Sequence, residues 1–290
     1  MLTAARESVA GLLELFDVTA AGPDRFTGST GAVGADGRHV AKGAQILAQA
    51  IVATAKRFPD KTIRSAHAVF VRPVTVESAV ELLVDIVHEG RSTAAAVVTV
   101  IQDARRCATV TVLADVPSDD VITHQALRPD VDTPDDAHPA RNVMAGQDLR
   151  LVDVIDADSP EEVGPPELYA WLHYDPIPAR DELAKALLAY FTGRFGISTT
   201  MRPHSGVGTA RAHAAVSTAV MSTFVSFHEP VSWDGWLLYG HESTQAGAGM
   251  SYVRGQVHTE DGELVASFAQ EGLARALRTT DTAVDTPARL

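Results

Sequence analysis

Residues 44–58, AQILAQAIVATAKRF, decide the fold of this chain. Apart from Gln45, Gln49 and Thr54, the run is apolar until it reaches its basic end. A helix on a protein surface keeps one polar face, so a run this apolar is typical of a helix buried against a sheet. The segment therefore predicts a central helix that other elements cover.

Four short segments follow this helix, each rich in Val, Ile or Thr and bounded by Pro, Gly or a charged turn. They are RSAHAVFVRP (64–73), AVELLVDIVHEG (79–90), RSTAAAVVTVIQ (91–102) and ATVTVLAD (108–115). Strands joined by such short turns must be mostly antiparallel. The first part of the chain thus predicts one helix packed on an antiparallel sheet.

The same pattern returns after Arg180. DELAKALLAYFTGRF (181–195) predicts a second, mostly apolar helix, and VFVRPV at 69–74 aligns with SFHEPV at 226–231. The strand-like segments of this second copy are 219–231, 233–243, 247–259 and 262–272. An internal repeat takes priority over local assignments. It predicts an α+β fold of two tandem helix-wrapped antiparallel sheets, which form a pseudo-dimer within one chain.

The repeat also predicts the domain organisation. We place one domain at residues 1–116 and the other at residues 148–276. An acidic, proline-containing linker is expected at 117–147, and a polar tail at 277–290, because neither segment has a helical or strand-like pattern.

Composition excludes several classes of function. The chain has 290 residues with 24 basic and 37 acidic side chains, a formal net charge of −13. A surplus of acids argues against nucleic acid or an anionic membrane as a partner. The lone Cys107 excludes an intrachain disulfide and a cysteine metal cluster, which fits a reducing compartment such as the cytoplasm. We find no membrane-span pattern and no metal-ligand spacing, and expect neither a metal nor a cofactor.

Six local segments have recognisable counterparts in known proteins. They are LLELFDVTAAGPDRFTG (12–28), KGAQILAQAIVAT (42–54), SAHAVFVRP (65–73), HEGRSTAAAVVTVIQ (88–102), WLLYGHES (236–243) and LVASFAQEGLAR (264–275). Together they resemble one family, the acyl-CoA thioesterase II family. The resemblance implies a double hot-dog fold, an acyl-CoA or related acyl-thioester as the ligand, and a possible homo-oligomer. It also implies lipid metabolism as the setting.

The resemblance further implies a site in which an Asp, a Thr and a Gln hold the attacking water. Gln270 in SFAQEG matches the family's Gln. Gly193 in LAYFTG stands where the family has the Asp, and Val220 falls on the Thr when one counts back from His228. Two of the three catalytic positions are therefore expected to be substituted.

Other side chains on the same strand are candidates to replace the missing groups. Alternate residues of a strand share a face, so Thr218, Val220, Ser222, Ser226 and His228 are expected to lie together. We predict that Gln270, Ser222 and His228 form the catalytic set, with the imidazole as a possible base.

Substrate contacts are predicted at five further positions, each of which also has a purely structural interpretation. They are Gly43, Gln49, His67, Arg91 and Ser92. Among the basic residues, Arg72, Arg91, Arg105 and Arg106 are the best candidates for binding the phosphates of CoA.

Three functions remain open at this point. The first is an acyl-CoA thioesterase-like protein that binds an acyl-thioester and hydrolyses it with a non-standard site. The second is a catalytically silent acyl-CoA or lipid-acyl binding protein, which Gly193 and Val220 favour. A hydratase or dehydratase ranks last, because the Asp/His pair of those enzymes has no place in this sequence.

Overall fold

The computed structural model describes residues 8–31, 39–76, 78–141, 143–211 and 216–277. Its helices are α1 (Val9–Phe16), α2 (Gly43–Arg57), α3 (Asp181–Thr192) and α4 (Gly196–Met201). The strands of the first part are β1 (Thr19–Gly22), β2 (Arg25–Gly28), β3 (Thr62–Phe70), β4 (Val80–Glu89), β5 (Thr93–Gln102) and β6 (Arg105–Asp115). Those of the second part are β7 (His138–Pro139), β8 (Gln147–Leu151), β9 (Glu167–Tyr174), β10 (Val216–Phe227), β11 (Leu237–Gly247), β12 (Met250–Thr259) and β13 (Leu264–Ala276).

These strands form one continuous antiparallel sheet across the described parts of the chain. Its order is β1-β2-β4-β5-β6-β3-β10-β13-β12-β11-β9-β8-β7. The strands up to β3 come from the first copy of the repeat, and those from β10 onward come from the second. The two copies meet where β3 pairs with β10, with His67 opposite Phe224.

Each copy of the sheet packs on its own central helix. In α2 the side chains from Gln45 to Thr54 are all buried, and in α3 those from Leu183 to Thr192 are all buried. Fully burying a large aliphatic side chain stabilises the fold by about 1.5–3 kcal/mol, so these helices contribute much of the core. The α+β arrangement of two helix-wrapped sheets predicted from the sequence is confirmed.

The two ends of α2 lie beside different strands of the first copy. Phe70, the last residue of β3, packs on Gly43, because a side chain added at that glycine would meet its ring at about 3 Å. Arg57, the last residue of α2, is paired with Glu89 at the end of β4. A helix of this length spans about 20 Å, so the two ends are well separated.

The stretch that we expected to be a linker is packed against the second copy. His138–Pro139 pairs with β8, and the indole Nε1 of Trp171 donates to the carbonyl of Asp132 at 2.8 Å. The amide of Gln125 bonds to the backbone of Gly262 and Leu264 at 2.9 and 3.0 Å. This connection therefore covers the sheet, while the domain boundaries remain a proposal.

Candidate functional site

Gln270 occupies the centre of the candidate site. Its side chain lies on β13, is 2% exposed, and faces the interior of the second copy. Neither Nε2 nor Oε1 has a hydrogen-bond partner among the described residues. Buried amide groups are almost always bonded, so an unpartnered pair calls for an explanation, such as a place for a ligand or water.

Three backbone segments converge on this amide. Gly193, at the carboxyl end of α3, is placed so that an added Cβ would lie 3.7 Å from the Nε2 of Gln270 and 3.7 Å from the Cβ of Ala44. Gly196, the first residue of α4, approaches so closely that an added side chain would clash with the Oε1 of Gln270. The amide thus lies between the start of α2, the end of α3 and the start of α4.

The start of α2 supplies the positive end of a helix dipole. No side chain caps it, since Lys42 at the cap position makes no capping hydrogen bond. Gly43, Ala44 and Gly193 are each partly exposed, whereas Gln270 is buried beneath them. Backbone N–H groups at such a helix end favour an oxygen that carries negative charge. The geometry suits a carbonyl that becomes an oxyanion.

A bulge in β10 changes which residues of that strand face Gln270. Val220 is opposite Gly272 and Ser222 is opposite Glu271, so Met221 is an extra residue between them. The bulge reverses the alternation of faces. Thr218 and Val220 face inward before it, and Thr223 faces inward after it, directly opposite Gln270 and 1% exposed.

The predicted grouping of Ser222 and His228 with Gln270 is therefore wrong. Ser222 lies on the outer face, where its Oγ donates to the Oε2 of Glu271 at 2.7 Å. The Nε2 of His228 is hydrogen-bonded to the Oγ of Ser267 at 2.9 Å, and Ser267 also lies on the outer face of β13. Burial, followed by nearby Arg64, lowers the pKa of His228.

Of the five predicted substrate contacts, only Gly43 lies at the site. His67 is exposed on the outer face of β3, against the ring of Phe224. Arg91 and Ser92 are exposed in the turn after Glu89, which places them at the far end of α2. The structure does not bring these three residues to Gln270. His67 faces away from the core, and Arg91 and Ser92 lie in a turn at the other end of α2.

Gln49 has a structural role instead of a place at the site. It is fully buried, and its Nε2 donates to the carbonyls of Leu15 at 2.8 Å and Ser29 at 2.6 Å. These bonds fasten α1 and the segment after β2 to α2. Ser29 also borders a cavity of about 260 Å³. The other residues that line this cavity are Thr19, Thr27, Thr30, Gly31, Ser78 and Ala79, all from the first copy, so it does not adjoin Gln270.

The repeat places an equivalent pair in the first copy, and that pair is apolar. Because Val69 aligns with Ser226, Thr223 corresponds to Ala66, which pairs with Val112 just as Thr223 pairs with Gln270. Ala66 and Val112 are each 1% exposed. This pair has no hydrogen-bonding side chains, so the first copy has no counterpart of Gln270 and Thr223 at these two positions.

His241, in β11, supports the end of α3. Its ring is 1% exposed and lies against Phe195 and Phe268, with ring centroids 5.8 and 4.9 Å away. Its Nε2 is 3.2 Å from the carbonyl of Thr192, the residue before Gly193. Burial lowers the pKa of His241 to about 4, so the ring is neutral at neutral pH and donates to that carbonyl.

We expect this neutral histidine to make stability depend on pH. An unfolded chain protonates the ring near about pH 6.5, whereas the folded chain does so only near pH 4. The contribution of the neutral ring to the free energy of unfolding is complete above pH 6.5 and is lost as the pH falls toward 4. The loss is about 2 kcal/mol at pH 5. Urea unfolding of the wild type and of His241→Phe at pH 7.5 and 5.0 measures it. The free energy of unfolding of the variant should fall less between pH 7.5 and 5.0 than that of the wild type. An equal fall in the two proteins would contradict a neutral, buried His241.

The sequence alone did not indicate Thr223, Gly196 or His241 as residues of the site. Counting along the strand could not show the bulge that turns Thr223 inward. A histidine inside the apolar run WLLYGHES was the one signal available for His241. No group of three or more His, Cys, Asp or Glu side chains within the described ranges has the geometry of a metal site. In the same ranges no helix has the length and apolar content needed to cross a membrane.

Comparison with known proteins identifies the family. A family model described as the acyl-CoA thioesterase N-terminal domain matches residues 35–114, and one described as the C-terminal domain matches residues 125–274. The acyl-CoA thioesterase 2 of Haemophilus influenzae is 30% identical over 253 residues, covering 80% of this chain and 87% of that protein. The chain belongs to the acyl-CoA thioesterase II family.

Solved structures agree with this family's fold. The tesB protein of Mycobacterium avium subsp. paratuberculosis has a TM-score of 0.78 at 23% identity, covering 92% of this chain and 99% of that one. An acyl-CoA thioesterase II of Mycobacterium marinum has a TM-score of 0.77 at 24% identity, covering 92% and 98%. A hot-dog protein of Alicyclobacillus acidocaldarius has a TM-score of 0.73 at 21% identity, covering 92% and 98%. The chain is a double hot-dog protein of the acyl-CoA thioesterase II family.

Proposed function

We propose that this family member binds an acyl-CoA thioester with its carbonyl between Gln270 and the start of α2. The observation that carries the proposal is the unpartnered, buried amide of Gln270 beside an uncapped helix end. The Nε2 of Gln270 and the first N–H groups of α2 would donate to the thioester oxygen. The family membership of the chain supports acyl-CoA as the ligand.

We further propose slow hydrolysis at this site. A water oxygen attacks the carbonyl carbon and loses a proton to solvent, the C–S bond breaks, and the departing thiolate takes up a proton, so that the products are a free acid and the CoA thiol. The Oε1 of Gln270 and the hydroxyl of Thr223 would accept hydrogen bonds from that water, a role that the pairing of Thr223 with Gln270 supports. The donors at α2 stabilise the oxyanion, which is commonly the largest contribution in acyl transfer.

The missing part of this mechanism is a base. Gly193 offers no group to take the proton, and a positioned acid or base typically contributes about 100- to 10,000-fold in rate. This observation favours the second candidate function, an acyl-CoA binding protein without turnover. Both candidates require the same binding geometry, so binding is the property to measure first.

The test uses acyl-CoAs of increasing chain length, measured by thermal unfolding and by release of free thiol. A ligand that binds only the folded state at 100 times its Kd stabilises the protein by about 2.7 kcal/mol. We expect such stabilisation for at least one chain length, with turnover absent or slow. Melting curves that no thioester shifts would contradict both candidates.

The cellular compartment, the metabolic role and the oligomeric state of the protein are also proposals. The one cysteine, Cys107, is buried and unpaired, which supports a reducing compartment such as the cytoplasm. An acyl-CoA ligand supports a role in lipid metabolism. Exposed apolar side chains on the outer sheet face, among them Val69, Leu113 and Phe224, support a homo-oligomer, whose mass light scattering would measure.

A further inference from the structure

A cluster of unpaired positive charges lies beside the site. Arg72, Arg105 and Arg106 are all exposed, at the end of the sheet where β3 stops and β6 begins. The guanidinium of Arg72 donates to the carbonyl of Arg106 at 3.4 Å, and the backbone N–H of Arg72 donates to Cys107 at 3.1 Å. These bonds hold the three arginines on one small surface, which we call the arginine patch.

The arginine patch carries no compensating ion pair. In the part of the chain that the structure describes, no carboxylate lies within 4 Å of any of its three side chains, although acids outnumber bases by 13 overall. The nearest acid in sequence is Asp103, in the turn before β6. In so acidic a chain, unpaired and clustered arginines indicate an anion that comes from outside.

The patch adjoins the mouth of the site. Arg72 follows Phe70 by two residues, and the ring of Phe70 packs on Gly43, the first residue of α2. Lys42 is exposed on the same side and lies over the ring of Tyr190 at 5.6 Å. The arginines therefore lie at the end of β3 that packs on the start of α2, and the start of α2 lies beside Gly193 and the buried amide of Gln270.

We propose that the arginine patch, together with Lys42, binds the phosphates of the nucleotide part of CoA. This inference rests on the proposed function, because it assumes that the thioester lies at Gln270. The long pantetheine arm would then run past the start of α2. Of the four arginines predicted from the sequence to bind these phosphates, Arg91 is excluded by its place at the far end of α2.

The variant Arg72→Ala/Arg105→Ala/Arg106→Ala tests the proposal. Its matched control is Lys61→Ala/Arg91→Ala/Arg141→Ala, which removes three positive charges elsewhere. Both triple variants change the formal net charge from −13 to −16, because each loses three charges. The probes are adenosine 3′,5′-bisphosphate, CoA, and the phosphate-free thioester S-butyryl-N-acetylcysteamine, each titrated by calorimetry at low and moderate salt.

We expect the patch variant to bind the bisphosphate and CoA about tenfold or more weakly, which is the scale of losing one or two charge-assisted hydrogen bonds. The control should stay within about twofold, and binding of the phosphate-free thioester should be unchanged. Wild-type affinity for CoA should fall as salt rises, since exposed charges are screened.

Three results would overturn the proposal. One is binding of the bisphosphate and CoA by the patch variant within about twofold of wild type. Another is an equal loss for the phosphate-free thioester, and the third is a wild-type affinity for CoA that does not fall as salt rises. Failure of the proposed function would give a different result. The wild type would then bind no thioester, but it would still bind the bisphosphate more tightly than the patch variant does.

Discussion

Replacing Gly193 with Asp is expected to raise the rate of acyl-CoA hydrolysis by about 100-fold or more. The new carboxylate would stand at the position where the family resemblance expects one. It would take the proton of the attacking water, a role that we assign to no described side chain near Gln270. A steady-state assay of thiol release measures the gain in kcat/KM.

The local geometry accommodates this substitution. Gly193 has φ −86 and ψ −3, a conformation that any residue adopts, so a side chain causes no backbone strain. An added Cβ would make ordinary contacts of 3.7 Å with Ala44 and with Gln270. The new group would therefore point between α2 and Gln270, toward the proposed carbonyl.

Gly193→Asn is the matched control for this experiment. Asn has nearly the shape of Asp but is no base, so its rate should stay near that of the wild type. A gain with both variants would show that shape matters and not proton transfer. No gain with Asp, in a protein that still binds acyl-CoA, would contradict the proposed position of the water.

Replacing Gln270 with Met is expected to stabilise the protein and to abolish its binding of acyl-thioesters. Leaving a buried polar group without a partner costs about 1–3 kcal/mol, and Met fills a similar volume without polar atoms. The free energy of unfolding in urea should rise by about that amount. In the same variant, acyl-CoA should no longer shift the melting temperature.

Ser222→Ala and His228→Ala are the controls for this prediction. Both positions lie on the outer sheet face, so neither change should alter acyl-CoA binding by more than about twofold. If Gln270→Met destabilised the protein and left binding intact, the amide would be a structural group. If the outer-face variants abolished binding, the ligand would lie on that face of the sheet and not at Gln270.

The sequence was sufficient for the fold because its central helices are apolar on all sides. A segment such as 44–58 has no solvent-facing stripe, and only burial between a sheet and another helix accounts for it. Among the eight longest strands, the four of the first copy were readable from their Val, Ile and Thr content, and the four of the second copy from the repeat. The short elements α1, α4 and β7 carry too few residues for a periodic pattern, and tertiary packing alone defines them.

The candidate site was only partly predictable. Gln270 and Gly193 were found because the segments that contain them, SFAQEG and LAYFTG, align with the family's segments without an insertion. Ser222 was assigned to the wrong face because one extra residue, Met221, reverses the side chains that precede it. A bulge depends on how two strands pair across the sheet, and one strand read alone does not reveal it.

The stretch at 117–147 shows the opposite limitation. Its prolines and aspartates predicted an open linker, and the backbone is indeed largely without regular structure. Yet Gln125 and Asp132 bond to the second copy, and the guanidinium of Arg128 lies 5.6 Å from the ring of Trp171. Composition indicates that a segment forms no helix, but it does not show what the segment covers.

The most direct measurement of the central claim is a crystal structure with a non-hydrolysable acyl-CoA thioether ketone. In this analogue a methylene group separates the carbonyl from the sulfur, so the ketone oxygen stands for the thioester oxygen. We expect that oxygen to lie within about 3 Å of the Nε2 of Gln270 and of a backbone N–H at the start of α2. A ligand bound elsewhere, with the Gln270 amide still unpartnered, would contradict it.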